Sequence, residues 1–289
     1  MGDLIVDETW YVDAKKLSPE APVPVGYLTS LKPHLSPGGA SLAASYAIKQ
    51  EYPFIFLTAA SNDNKKWLRQ KGINLHSLYS IENIKKIRYI DINSNYHLIR
   101  IDNDKVITFP TITEEKLVPL LNKLLKNTSC LVILDYQKGM FSDITATQTI
   151  IREAVRKNIP VYVDTRSDPQ KFKMSTVLKL NEKEYVAASA AQCIESPQAL
   201  CRKLNIPNLI ITEGKQGATL HQIKKPHYQY IPNLNDYTGT PDVTGCGDVF
   251  DINFCYYCFQ KGFTPTEALK LSVDKATEYA YSSIGDRLC

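Results

Sequence analysis

The chain has 289 residues, of which 44% are hydrophobic and 22% charged, with a formal net charge of +4. That length suffices for a large core in one α/β domain or two smaller ones, and the composition excludes a disordered chain. Its lysines fall in short pairs such as Lys65-Lys66, Lys85-Lys86 and Lys224-Lys225 rather than in a basic stripe, which argues against a nucleic-acid partner.

No apolar run approaches the length of a membrane span, so no membrane association is expected. The stretch Leu4-Ile5-Val6, cut off by Asp7-Glu8, is too short for the apolar part of a signal peptide. Seven cysteines without framework spacing read as reduced thiols in a cytoplasmic setting. Cys255-Tyr256-Tyr257-Cys258 lies in an apolar helical run, where buried thiols are expected rather than a redox or zinc site. The five histidines show no ligand spacing.

In chain order, residues 9–32 are proline-rich with short extended runs. A buried strand is expected over 54–57 and a short helix over 64–71. Two strand-like segments, 87–92 and 96–101, flank a turn at Asn93-Ser94-Asn95 and predict a small separate sheet. Apolar residues at helical spacing (Leu117, Leu120, Leu121, Leu124, Leu125) predict a helix over 113–126. Strands are then expected over 130–134, 160–163 and 208–212, with a helix over 142–157 between the first two. The stretch 248–281 reads as two helices parted at Gly262. Continuous rather than alternating apolar strands, interleaved with helices, imply a mostly parallel sheet covered on both faces. Asp135, Asp164, Asn181 and Thr212 then fall at strand carboxyl ends, the rim where open α/β sheets bind ligands.

The most informative string is Asp242-Val243-Thr244-Gly245-Cys246-Gly247-Asp248. Two glycines permit a tight turn, the following helix points free amides at whatever sits there, and Asp248 stands beside that site as a carboxylate. An anion cradle next to a general base suits phosphoryl transfer to a hydroxyl.

Together these segments resemble the ribokinase-like (PfkB) carbohydrate kinases. The string Gly245-Cys246-Gly247-Asp248 is similar to that family's anion-hole loop with its catalytic aspartate, and Pro37-Gly38-Gly39 to its double-glycine signature. Asn181-Glu182-Lys183-Glu184 is similar to the N-x-x-E motif that helps arrange magnesium and phosphate. Residues 212–218 resemble the strand and turn that hold the nucleotide. A subfamily resemblance, to the heptose 7-phosphate kinases, rests on Gly2-Asp3 with Asp7, Trp10-Tyr11, Ser18-Pro19-Glu20-Ala21-Pro22-Val23-Pro24-Val25, Leu98-Ile99-Arg100-Ile101-Asp102 and Asp135-Tyr136-Gln137-Lys138-Gly139.

The resemblance implies an α/β, ribokinase-like three-layer fold. Residues 1–8, 33–83 and 109–289 would form the kinase core, and 9–32 with 84–108 a small β lid through which two copies dimerise. It implies phosphorylation of the anomeric hydroxyl of D-glycero-D-manno-heptose 7-phosphate by ATP with Mg²⁺, a step toward ADP-heptose. Asp248 would be the base and Gly245, Cys246 and Gly247 the anion loop. Asp7, Gly38, Gly39, Asp135, Lys138 and Arg166 would bind the sugar phosphate. Asn181, Glu184, Thr212, Glu213, Gly214 and Gly217 would hold the nucleotide, with Glu184 acting indirectly on magnesium. Another sugar or nucleoside acceptor, or a catalytically impaired binding protein, are the alternatives.

Four positions depart from the pattern. Leu42 stands where the family usually has an asparagine on the sugar, and Cys246 where it has alanine. Asp251 replaces a small or apolar residue, where it would either repel ATP or favour the helix dipole. A central first strand is expected to be short. The chain contains no His-x-Gly-His string, so a nucleotidyltransferase segment is not expected in it.

Overall fold

A computed structural model describes residues 1–106, 109–225, 227–235, 237 and 241–282. In chain order the elements are β1 (Leu4–Leu17), β2 (Pro24–Leu28), β3 (His34–Gly39), α1 (Ala40–Lys49), β4 (Phe56–Thr58), α2 (Asn62–Gln70), β5 (Leu75–Ser77), β6 (Lys85–Asp91) and β7 (His97–Asp102). They continue as α3 (Glu114–Leu124), β8 (Leu131–Asp135), α4 (Ile144–Arg156), β9 (Val161–Thr165), β10 (Val177–Asn181), α5 (Glu182–Ala191), α6 (Pro197–Leu204) and β11 (Asn208–Thr212). The last are β12 (Gly217–Gln222), β13 (Gln229–Pro232), α7 (Cys246–Cys255) and α8 (Pro265–Tyr281).

The central sheet has the order β13-β12-β11-β10-β9-β8. Strands β8 to β11 run parallel, while β12 and β13 return antiparallel at one edge. Side chains on successive strand residues point to opposite faces, and both faces are apolar. Ile133, Val161, Val163, Leu178, Leu180 and Leu209 pack with α3, α4 and α6. Tyr162, Val177, Ile210 and Leu220 pack with Phe250 and Phe254 of α7 and Leu269 and Val273 of α8. That is a three-layer α/β architecture with a mostly parallel sheet, as the sequence led us to expect.

Residues 1–3 stitch β8 to β4. Gly2 bridges Leu134, Asp3 N–H donates to Leu134 O at 3.2 Å, and Gly2 N–H donates to Leu57 O at 3.2 Å. The strand expected to be short is therefore β1, which spans 14 residues, and only its approach touches the central sheet. Most of β1 belongs to a second sheet, ordered β2-β1-β6-β7, with β3 also paired to β1. The hairpin expected over 87–101 is there as β6 and β7. Its turn is closed by Asp91, whose carboxylate accepts from Ser94 N–H at 2.8 Å and from the Ser94 hydroxyl at 2.7 Å.

Local chemistry sets the helix starts. Ser61 and Asp143 accept from backbone N–H groups three residues on, capping α2 and α4. Thr264 and Glu267 form a reciprocal capping box at α8, with Pro265 in its first turn.

Candidate active site

The carboxyl ends of β8, β9, β10 and β11 meet the amino end of α7 at one rim. Gly245, at φ +83°, precedes α7 in a left-handed conformation that an L side chain rarely adopts. A methyl group added there would lie 2.5 Å from Leu42 Cδ2. Leu42 of α1, just after the Gly38-Gly39 segment, therefore packs directly on the anion loop. No side-chain cap is formed at α7; at its start the Cys246 N–H donates to Val243 O at 3.3 Å, and just ahead of it the Thr244 N–H donates to Asp242 Oδ1 at 2.9 Å.

Asp248 lies in that first turn and is 7% exposed. The Tyr136 hydroxyl donates to Asp248 Oδ1. The Arg166 guanidinium lies 4.5 Å above the Tyr136 ring centre, covering the pair. Burial raises the Asp248 carboxyl to about 7; the Tyr136 hydrogen bond opposes this, the Asp164 carboxylate adds to it, and the Lys179 and Arg166 charges oppose it. A carboxyl poised near neutrality is a suitable acceptor for a hydroxyl proton.

The other expected site residues fall into two groups around this centre. On the side of the second sheet, Gly38 and Gly39 end β3. Gly38 lies against the Asp7 carboxylate, where a Cβ would collide with it. Asp7 pairs with Arg88 at 2.5 Å, and Lys138 pairs with Asp104. Asp135 is buried, with its carboxylate accepting from Thr165 at 2.7 Å, from Ser167 and from Gln137 N–H at 2.9 Å. Arg166 N–H donates to Asp135 O at 3.0 Å, which fixes the loop that carries the guanidinium.

On the other side, Asn181 and Glu184 form a capping box at α5. Glu184 N–H donates to Asn181 Oδ1 at 2.9 Å, and Asn181 N–H donates to Glu184 Oε2 at 2.7 Å. The N-x-x-E spacing is thus also a helix-start device. Burial raises the Glu184 carboxyl and the Asn181 hydrogen bond opposes it. Thr212 ends β11. Glu213, Gly214 and Gly217 form the turn into β12, where Glu213 N–H donates to Gly217 O at 2.8 Å. Gly214 and Gly217 both have positive φ, and a Cβ at Gly217 would strike Ile231 O.

Asp251 does not face the rim. It is fully buried, accepts from the Tyr162 hydroxyl at 2.7 Å and lies 3.7 Å from Lys179 Nζ. Neither repulsion of ATP nor a bare dipole contact describes it. Tyr136, Lys179 and Tyr162 all contribute here; Tyr136 lies in the heptose-kinase-like segment 135–139 but had no role of its own, and no motif singled out Lys179 or Tyr162. Two cavities, of about 380 and 250 Å³, lie elsewhere and do not include Asp248. Among the described residues Cys255 is buried and Cys258 half-buried, and no cluster of three metal-ligating side chains occurs. Among the described residues no helix is long and apolar enough to cross a membrane.

No protein-family model matches the chain. Among curated relatives, the bifunctional protein HldE of Coxiella burnetii (strain Dugway 5J108-111) is 29% identical over 260 residues. The HldE protein of Klebsiella pneumoniae subsp. pneumoniae is 28% identical over 261 residues. Each alignment covers 86% of this chain and 52% of the relative, so the chain spans about half the length of the curated relatives it matches. Among solved structures, phosphofructokinase-2 from Escherichia coli in complex with potassium superposes with a TM-score of 0.71 at 15% identity, covering 100% of this chain and 94% of that one. Ribokinase from Thermotoga maritima superposes with a TM-score of 0.69 at 19% identity, covering 100% and 96%. The fold is therefore ribokinase-like.

Proposed function

We propose that this homologue of the bifunctional HldE proteins, built on the ribokinase-like fold, is an ATP-dependent phosphotransferase acting on an alcohol of a sugar phosphate. The acceptor we assign is the anomeric hydroxyl of D-glycero-D-manno-heptose 7-phosphate, giving the 1,7-bisphosphate in ADP-heptose biosynthesis in the cytoplasm. The observation that carries this reading is the buried Asp248 carboxyl in the first turn of α7, directly after the left-handed Gly245 and accepting from the Tyr136 hydroxyl.

In this reading Asp248 accepts the hydroxyl proton, a contribution of about 10²–10⁴-fold. The Gly245, Cys246 and Gly247 amides and the start of α7 stabilise charge on the phosphoryl group in transit. Arg166 and Lys138 are the cations for the substrate phosphate, and Asp7, Gly38, Gly39 and Asp135 shape the sugar pocket. Asn181, Glu184, Thr212, Glu213, Gly214 and Gly217 line the nucleotide side. Magnesium, when bound, neutralises phosphate oxygens and keeps much of its water shell, so one nearby carboxylate such as Glu184 acting through water fits it without a three-ligand cluster.

The second sheet leaves Tyr27, Leu28, Ile99 and Ile101 exposed, with Leu31 beside it at 95% exposure. An apolar surface of this kind fits a partner, and we assign it to a homodimer formed through the lid. Leu42 supports a second reading, in which the acceptor is another sugar or a nucleoside, because an apolar side chain there cannot pair a hydroxyl.

The test is ADP release with ATP and magnesium across a panel of heptose 7-phosphate, other sugar phosphates, sugars and nucleosides. Turnover with heptose 7-phosphate, blocked when its anomeric position is reduced, supports the assignment. Preference for another acceptor moves it to the second reading, and no nucleotide binding by calorimetry rejects both.

A further inference from the structure

Lys179 occupies the middle of β10, a strand whose other inward positions are apolar. Alternation along the strands puts Tyr162, Asp164 and Lys179 on the face covered by α7, the same side as Val177 and Phe250. Lys179 is 6% exposed, and its Nζ lies 3.0 Å from Asp164 Oδ2 and 3.7 Å from Asp251 Oδ1. A methyl group added at Gly247 would sit 3.5 Å from the same Nζ, so the ammonium lies directly beneath the anion loop. Asp248 and Asp251 are three residues apart on α7, which sets them on one helix face above this ammonium.

Burying a lysine is costly unless its charge is matched. Here burial alone would lower its pKa, yet the Asp164 and Asp251 carboxyls outweigh burial and hold the ammonium charged. Burial and then the Asp164 carboxylate push the Asp251 carboxyl well above the usual carboxyl range, and the Lys179 ammonium opposes that rise. The Tyr162 hydroxyl donates to Asp251 Oδ1 and holds that carboxyl beside the ammonium.

We propose that Lys179 is a positioning residue of the phosphoryl-transfer site: its ammonium, seated against Gly247 and anchored by Asp164 and Asp251, fixes the anion loop and favours the ionised Asp248 carboxylate. Asp251, which departs from the family pattern, is in this view part of the device that makes a buried lysine tolerable. The groups facing Asp248 are Tyr136 from the end of β8, Asp164 and Arg166 from β9 and its exit, and Lys179 from β10. Helices α1 and α8 bring Leu42 and Tyr279 to the Gly245 turn.

The inference rests on the proposed phosphotransferase reading, so its test needs a readout independent of turnover. In protein labelled with ¹³C at the aspartate carboxyls, the Asp248 resonance is the one lost in Asp248→Asn. Its titration midpoint should lie near neutrality and rise by about one pH unit in Lys179→Met, at the lower end of what an opposite charge a few ångströms away produces. Lys179→Arg should return it toward the original value. An unmoved midpoint in folded Lys179→Met protein overturns the proposal, whatever the enzyme's substrate proves to be. If Lys179→Met does not fold, Lys179→Gln is the second variant. It also removes the ammonium and should raise the Asp248 midpoint, and no rise there overturns the proposal equally. A correct midpoint shift with no turnover on any acceptor would instead reject the phosphotransferase reading alone.

Discussion

The rim of the central sheet and the second sheet use opposite strategies. At the rim, charged groups are buried and matched: Lys179 with Asp164 and Asp251, Asp248 with Tyr136, and Asp135 with Thr165 and Ser167. On the outer strands of the second sheet, β2 and β7, Arg100 pairs with Asp102 at the surface while Leu28, Ile99 and Ile101 are left exposed. Buried, matched charges need rigid surroundings and resist substitution. An exposed apolar surface costs little until a partner covers it. The rim should therefore answer to chemistry and the second sheet to assembly.

The largest expected effect is at the rim. Asp248→Asn should lower turnover by about 10²–10⁴-fold while keeping the circular dichroism spectrum, since amide and carboxylate are the same shape. Equal turnover in the variant would place the base elsewhere. Next, Gly245→Ala forces an L side chain into φ +83° and against Leu42. It should cost about 1–3 kcal/mol of stability and most of the activity, measured by denaturant unfolding and ADP release. Unchanged stability would mean the turn is not held as described.

The same contrast has a pH signature. The folded Asp248 carboxyl is raised from its ordinary 3.8 to about 7, so between those values the folded state binds more protons than the unfolded chain. Its contribution to stability is present at low pH and lost as pH rises through 7. Asp248→Asn should therefore be more stable than the parent at pH 8, by on the order of 2 kcal/mol, and should show little difference at pH 4. An equal gain at both pH values would assign the effect to packing. By contrast, the double change Leu28→Glu with Ile99→Glu should convert a dimer to a monomer by light scattering and shift the melting temperature of the isolated chain by only about 2 °C, because surface changes lie within about 0.5 kcal/mol. The smallest effect is expected for Glu184→Ala, which removes half of the α5 capping box at about 1 kcal/mol. Weakened ATP binding by calorimetry, beyond that loss, would separate a nucleotide role from a purely structural one.

Much of the core was legible because its strands are short, continuous and apolar. Residues 208–212 match β11, and β8 and β9 each start one residue later than expected and extend beyond the predicted end. Phe54 and Ile55 were expected in a strand but precede β4, where they are exposed. Helix α1 was not foreseen: its alanines and serines give weak amphipathic contrast, and its burial comes from packing on β1 and α7. The glycine motifs showed where the backbone must bend, and Gly39 and Gly245 do take positive φ, at the end of β3 and just before α7. Lys179 and Tyr162 were illegible because each reads locally as an ordinary strand residue, and Tyr136, though inside the heptose-kinase-like segment 135–139, carried no role of its own there. Their roles depend on contacts with α7, far along the chain, which a local pattern does not encode. Asp251 was visible as an oddity but not as a partner, since only the fold brings Lys179 to it.

The most direct test of the central claim is the pH dependence of kcat/KM for ADP release, which reports the ionisation of the free enzyme's base. The account predicts an acid limb with an apparent pKa near 7 that vanishes, together with most of the activity, in Asp248→Asn. An acid limb near the ordinary carboxyl value, or one that survives in Asp248→Asn, would contradict it.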